Sequence, residues 1–107
     1  VSEILDVTAE DFQKQVLDAS MLVIVDFWTE WCAPCRQLAP TLKALAAAYP
    51  GRLRIAKIDG EANRDLVQKY NVRGFPTLLF VKGGQIRDQV VGNVPRSTLE
   101  KHLERLL

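Results

Sequence analysis

Cys32 and Cys35 are the only cysteines in the chain, and they stand three residues apart in Trp28-Thr29-Glu30-Trp31-Cys32-Ala33-Pro34-Cys35-Arg36. Two cysteines scattered at random over this length would take that spacing roughly once in fifty. A loop this short is a poor structural staple, because the entropy a cross-link removes grows with the length of chain it encloses. A metal site would need two further soft or imidazole ligands. The one histidine, His102, falls in the last helical pattern, so no metal is expected. The pairing of types and spacing points instead to reversible thiol–disulfide chemistry.

The apolar period of a helix begins at Pro34, which sets Cys32 just before that helix and Cys35 in its first turn. Pro34 occupies a position where a missing N–H costs nothing. Unpaired N–H groups and aligned peptide dipoles at a helix N-terminus favour a thiolate, so Cys32 is the expected nucleophile. Its attack on a partner disulfide makes a mixed disulfide. Cys35, one turn away and more buried, then attacks the Cys32 sulfur and releases the reduced partner. Arg36 adds positive charge nearby.

Helical and strand periods alternate along the whole chain and must position this pair. A short strand is expected around Ile4-Leu5, then a helix opening at Thr8 with Phe12, Val16 and Leu17 on one face. Met21 to Trp28 is apolar except for Asp26, and Leu53 to Ile58 reads as a second buried strand interrupted by Lys57. Between them, Leu38, Leu42, Leu45 and Tyr49 mark a helix that continues past Pro40, which should kink it. Asn63 reads as the N-cap of a short helix carrying Leu66, Val67 and Tyr70. Thr77 to Val81 and Ile86 to Val91 form a hairpin across Gly83-Gly84, since the diglycine supplies positive φ. Ser97-Thr98-Leu99-Glu100 reads as a capping box for a last helix with Leu99, Leu103 and Leu106 inward. The order β-α-β-α-β-α-β-β-α predicts an α/β fold with a central mixed sheet and helices on both faces.

Composition bounds the function. With 107 residues and no linker or repeat, one domain over 1–107 is expected, and 48% hydrophobic content excludes disorder, collagen and a disulfide-rich scaffold. A net charge of +1 with interspersed signs gives no footprint for nucleic acid and no polybasic stretch for a membrane surface. The longest apolar run, Met21 to Val25, is too short to span a bilayer, and no charged-then-apolar leader opens the sequence at Val1. Charges inside strands are a separate signal. Asp26 or Lys57 left alone in a core would cost several kcal/mol. Either they lie at strand ends that reach water, or the site uses them.

Trp31-Cys32-Ala33-Pro34-Cys35 resembles the active site of the thioredoxin family, and the resemblance extends over essentially the whole chain. It is carried further by Asp26-Phe27-Trp28, Pro40, Lys57-Ile58-Asp59, Val72-Arg73-Gly74-Phe75-Pro76-Thr77, Gly84 and Gly92. The resemblance implies a thioredoxin fold and a protein-disulfide reductase with no bound cofactor beyond the redox-active Cys32–Cys35 pair. It implies disulfide-containing substrate proteins and a thioredoxin reductase as partners, a monomer, and a cytoplasmic setting. Family members usually carry Gly where this chain has Ala33, a departure that bears on redox poise. Ala33 lacks the imidazole donor of strongly oxidising relatives, which leans the expectation towards a reductant.

The same resemblance implies roles for the remaining site residues. Asp26 would lie beneath the cysteine pair with Lys57 close by, taking the proton from Cys35 through water. Burial should raise the Asp26 pKa, with Lys57 partly opposing. Pro76, in a bond that is cis in the family, would sit against the pair while the Phe75 backbone pairs with an extended substrate. Trp31, Ala33, Pro34, Phe75, Pro76 and Gly92 would form an exposed apolar rim for docking. Read without the resemblance, Phe75 is a core aromatic and Gly92 a turn glycine. Trp28, Pro40 and Gly84 read as structural support. Two alternatives to a reductase are an oxidase or isomerase in an oxidising compartment, and a thioredoxin-fold binding subunit that grips partners without thiol turnover.

Overall fold

The computed structural model describes residues 3–107. Five strands form one mixed sheet in the order β1-β3-β2-β4-β5: β1 (Glu3–Asp6), β2 (Leu22–Trp28), β3 (Leu53–Asp59), β4 (Thr77–Lys82) and β5 (Gln85–Val91). β3 runs parallel to both β1 and β2, as helical crossovers require, and β4 and β5 add antiparallel strands. The continuous apolar runs of β2 and β4 are explained by their central position, where both faces are covered.

Side chains alternate between the two faces of the sheet. Leu22, Ile24, Leu53, Ile55, Leu78 and Phe80 pack against α1 (Ala33–Ala48) and α3 (Arg96–Leu106). Val23, Val25, Phe27, Ala56, Ile58 and Leu79 pack against the segment from Phe12 to Val16 and against α2 (Arg64–Lys69). Leu38, Leu45, Leu99 and Leu103 are fully enclosed, so truncating any one to Ala should cost about 2–5 kcal/mol. α1 runs without a break through Pro40 because its apolar stripe, Leu38, Leu42 and Leu45, is anchored on both sides of the ring.

Two local expectations are corrected, and a third holds in position with its side chain bonded elsewhere. The helix expected from Thr8 is a π-helical segment, Gln13–Leu17. Thr8 does not cap it; the Asp11 carboxylate reaches back to accept from the Thr8 N–H at 2.7 Å, which spends residues 9–11 on a turn. The capping box at Ser97 does not form, since α3 begins two residues earlier with Pro95 as N-cap and Glu100 pairs with Arg96 at 3.5 Å. Asn63 holds the N-cap position of α2, but its side chain is turned to tertiary use. Its Oδ1 accepts from Ala9 N–H at 3.0 Å and its Nδ2 donates to the Asp59 carbonyl at 3.0 Å.

Candidate active site

The C-terminal ends of β2 and β3 and the first turn of α1 converge on the cysteines. Cys32 is the N-cap of α1 with extended backbone, and Pro34 lies in the first two helical positions. Cys32 and Cys35 are joined in a disulfide with their Cα atoms 5.2 Å apart. The Cys35 backbone N–H donates to Cys32 Sγ at 3.1 Å, so an otherwise unpaired helix N–H is aimed at the sulfur expected to act as nucleophile. Cys35 is buried and Cys32 is partly exposed, the asymmetry that an attacking and a resolving thiol require. Upstream, the buried Thr29 accepts from the Cys32 N–H through its carbonyl at 3.3 Å. Arg36 is exposed and donates through Nη1 to the Glu30 carbonyl at 2.8 Å, tying the loop to the helix.

Asp26 and Lys57 are direct neighbours in the parallel β2–β3 register, on the sheet face that carries α1. Asp26 is 5% exposed, and its Oδ1 is buried without a hydrogen-bond partner. Removal from water pushes its pKa up to about 6, a rise that the Lys57 charge partly opposes. The Lys57 ammonium lies over the Trp28 ring, 5.3 Å from its centroid. Beside them is a cavity of about 210 Å3, lined by Asp26, Trp28, Cys35, Ala39 and Lys57 among others. It is large enough to hold water between the carboxyl and the thiol. A groove along α1 shares Arg36, Ala39 and Lys57 with that cavity. Both charges therefore line the cavity beside Cys35, neither free in water nor stranded in the core.

The segment before β4 reaches the same end of the sheet, because Thr77 pairs with Phe27 of β2 on one side and Val91 of β5 on the other. Phe75–Pro76 is cis, and Gly92 N–H donates to the Pro76 carbonyl at 2.9 Å. Trp31 is 79% exposed, Ala33 and Pro34 are exposed, and Phe75 and Gly92 are partly so. Pro76 departs from the expected rim: its ring is buried, since the strand it precedes is flanked on both sides. Gly92 has φ +94°, so its backbone demands glycine, and the space beyond it is open. Gly84 has φ +76° and faces the Leu17 carbonyl, and α1 carries Pro40 on an exposed turn. Sequence reasoning missed two residues here. Val91, 57% exposed, stands beside Gly92, and its place at the end of a strand was the available signal. Gly60 lies buried under Phe75, and nothing local in the sequence announces it.

A family model described as Thioredoxin matches residues 3–105. The chain belongs to the thioredoxin family. It is 41% identical to thioredoxin 1 of Nostoc sp. over 107 residues, all of both chains. It is 44% identical to thioredoxin C-2 of Corynebacterium nephridii over 102 residues, covering 95% of this chain and 94% of the relative. The M-type chloroplastic thioredoxin of Spinacia oleracea is 36% identical over 107 residues, which are 59% of its length. Family membership, together with the Cys32–Cys35 pair at a helix N-terminus, makes this chain a thiol–disulfide oxidoreductase of the protein-disulfide reductase kind. No helix among the described residues is long and apolar enough to cross a membrane.

Proposed function

We propose that residues 1–107 act as one thioredoxin domain in which Cys32 attacks the disulfide of a partner protein and Cys35 resolves the intermediate. The observation that carries this reading is the Cys35 N–H directed at Cys32 Sγ, with a buried carboxyl waiting behind Cys35. In the reduced protein that N–H favours the Cys32 thiolate. The thiolate displaces one sulfur of the partner, which leaves as a thiolate, and a mixed disulfide forms. Cys35 then gives its proton to Asp26 through water in the cavity and attacks Cys32 Sγ. The second partner sulfur departs and the Cys32–Cys35 disulfide forms. Lys57 sets how readily Asp26 accepts that proton. Trp31, Ala33, Pro34, Phe75 and Gly92 dock the partner, with the Phe75 backbone pairing to its extended chain and Pro76 backing the segment.

Two electrons thus pass from the dithiol to the partner, and a thioredoxin reductase restores the dithiol. The pair is its own redox centre and calls for no added cofactor. A monomer free in a reducing compartment such as the cytoplasm fits this cycle, and a chloroplastic relative shows that the same family also serves elsewhere. Incubating Cys35→Ser with an excess of a disulfide-bonded protein should accumulate a covalent adduct that dithiothreitol releases. Cys32→Ser should form none and should lose disulfide reduction. Turnover retained by Cys32→Ser would leave only a binding role.

A further inference from the structure

Gly60 follows β3 directly and is buried, and its N–H donates to the Trp28 carbonyl at 2.8 Å, at the end of the strand that leads to the cysteines. A Cβ built on Gly60 would meet Phe75 Cε1 at 2.6 Å and Cζ at 2.7 Å. Contacts that short are sterically excluded, so the far edge of the Phe75 ring occupies the volume a side chain at position 60 would take. No positive φ applies at Gly60, so a side chain there is opposed by the ring and not by the backbone.

We infer that Gly60 is a positioning residue for partner docking: its bare backbone is the seat of the Phe75 ring, and the seated ring fixes the Phe75–Pro76 segment against which a protein substrate pairs. The inference rests on the docking role of Phe75 proposed above. The ring is held at its edge by Gly60 and continues into Pro76, whose carbonyl is fixed by Gly92 at 2.9 Å, while Thr77 Oγ1 donates to the Gly74 carbonyl at 2.6 Å. Apart from the Phe75 ring and the buried Pro76, every anchor is a backbone or hydroxyl hydrogen bond. A methyl group at position 60 expels the ring and turns the segment's apolar surface, while Cys32, Cys35 and Asp26 stay where they are. The seat therefore governs recognition of extended protein disulfides and leaves the chemistry of small disulfides alone.

The test uses pre-reduced protein and two oxidants, insulin as a protein disulfide and bis(2-hydroxyethyl) disulfide as a small one. Second-order oxidation rates are followed by tryptophan fluorescence. Gly60→Ala should slow the insulin reaction about fivefold or more and leave the small-disulfide rate within about twofold, a selectivity that general loosening of the fold would not produce. Phe75→Leu lacks the two clashing ring atoms, so adding Gly60→Ala in that background should change the insulin rate by less than about twofold. Trp31→Ala reports on the docking reading itself and should also slow insulin selectively. If Trp31→Ala does so while Gly60→Ala does not, the seat is overturned and docking stands. An equal effect of Gly60→Ala in both backgrounds overturns it too. If neither variant affects insulin selectively, the docking reading falls and the seat with it.

Discussion

Asp26 and Lys57 are paired across β2 and β3, yet the Lys57 ammonium lies over the Trp28 ring and leaves Asp26 Oδ1 buried without a hydrogen-bond partner. The lysine acts on the carboxyl through its field and not through a bond. That arrangement keeps Asp26 basic enough to accept a proton near neutral pH, at a cost to stability.

The cost has a definite sign. The folded carboxyl holds its proton up to about pH 6, against an ordinary value of 3.8. The folded state therefore binds more protons between those values, and stability falls as pH rises through that window. Above it the full penalty remains. We expect Asp26→Ala to raise unfolding stability at pH 7–8 by about 1–3 kcal/mol, with a smaller gain at pH 4, while slowing disulfide reduction. Urea titrations across pH 4–8 measure the first effect, and an unchanged midpoint at pH 8 would refute it.

Removing the lysine charge should push Asp26 further in the direction burial already drives it. In Lys57→Met the Asp26 carboxyl should titrate at higher pH than in the parent chain, as read from its side-chain 13C shift. A titration that does not move would mean the field of Lys57 fails to reach the carboxyl.

The β4–β5 turn offers a paired comparison. Gly83 (φ +60°) and Gly84 (φ +76°) both occupy left-handed backbone, so alanine at either should cost about 1–2 kcal/mol. At Gly84 a Cβ would also meet the Leu17 carbonyl oxygen at 3.1 Å, whereas nothing lies within 4 Å at Gly83. Thermal unfolding should rank Gly84→Ala below Gly83→Ala, and the reverse order would contradict the packing of the turn on the π-helical segment.

His102, the one histidine of the sequence, clasps α3 to β5. Its ring stacks on Phe80 at 5.0 Å and its Nδ1 is 2.7 Å from Asp88 Oδ2, with Arg105 bonded to the same oxygen. The His102 hydrogen bond, then Arg105, holds the Asp88 carboxyl below its ordinary value of 3.8. A depressed carboxyl contributes stability above that value and loses it as pH falls below. His102→Phe keeps the stack and loses the bond, so it should cost about 1 kcal/mol at pH 6 and converge on the parent chain at the acid end. A deficit that persists at pH 2 would assign the loss to packing.

The redox pair and its helix were legible because local rules fix them: a cysteine before an apolar period, and a proline where no donor is needed. The strands were legible by apolar runs, and parallel pairing by the helices between them. Tertiary partners hid the rest. Asn63 carries the signature of a cap but is claimed by Ala9, 54 positions away. The capping box at Ser97 lost to an earlier start at Arg96. Pro76 gives no local sign of burial, which follows from strands on both sides of β4. Gly60 matters through a ring 15 residues later, a relation no period or motif encodes.

The strand order has a consequence for how the protein comes into being. β2 carries the site at the middle of the sheet, but both strands that flank it are made later, β3 from Leu53 and β4 from Thr77. A nascent chain growing from its N-terminus therefore emerges with both thiols long before Lys57 or the cis Phe75–Pro76 segment exists. Its cysteines are ordinary thiols at that stage, and the enzyme begins when β4 zips into place.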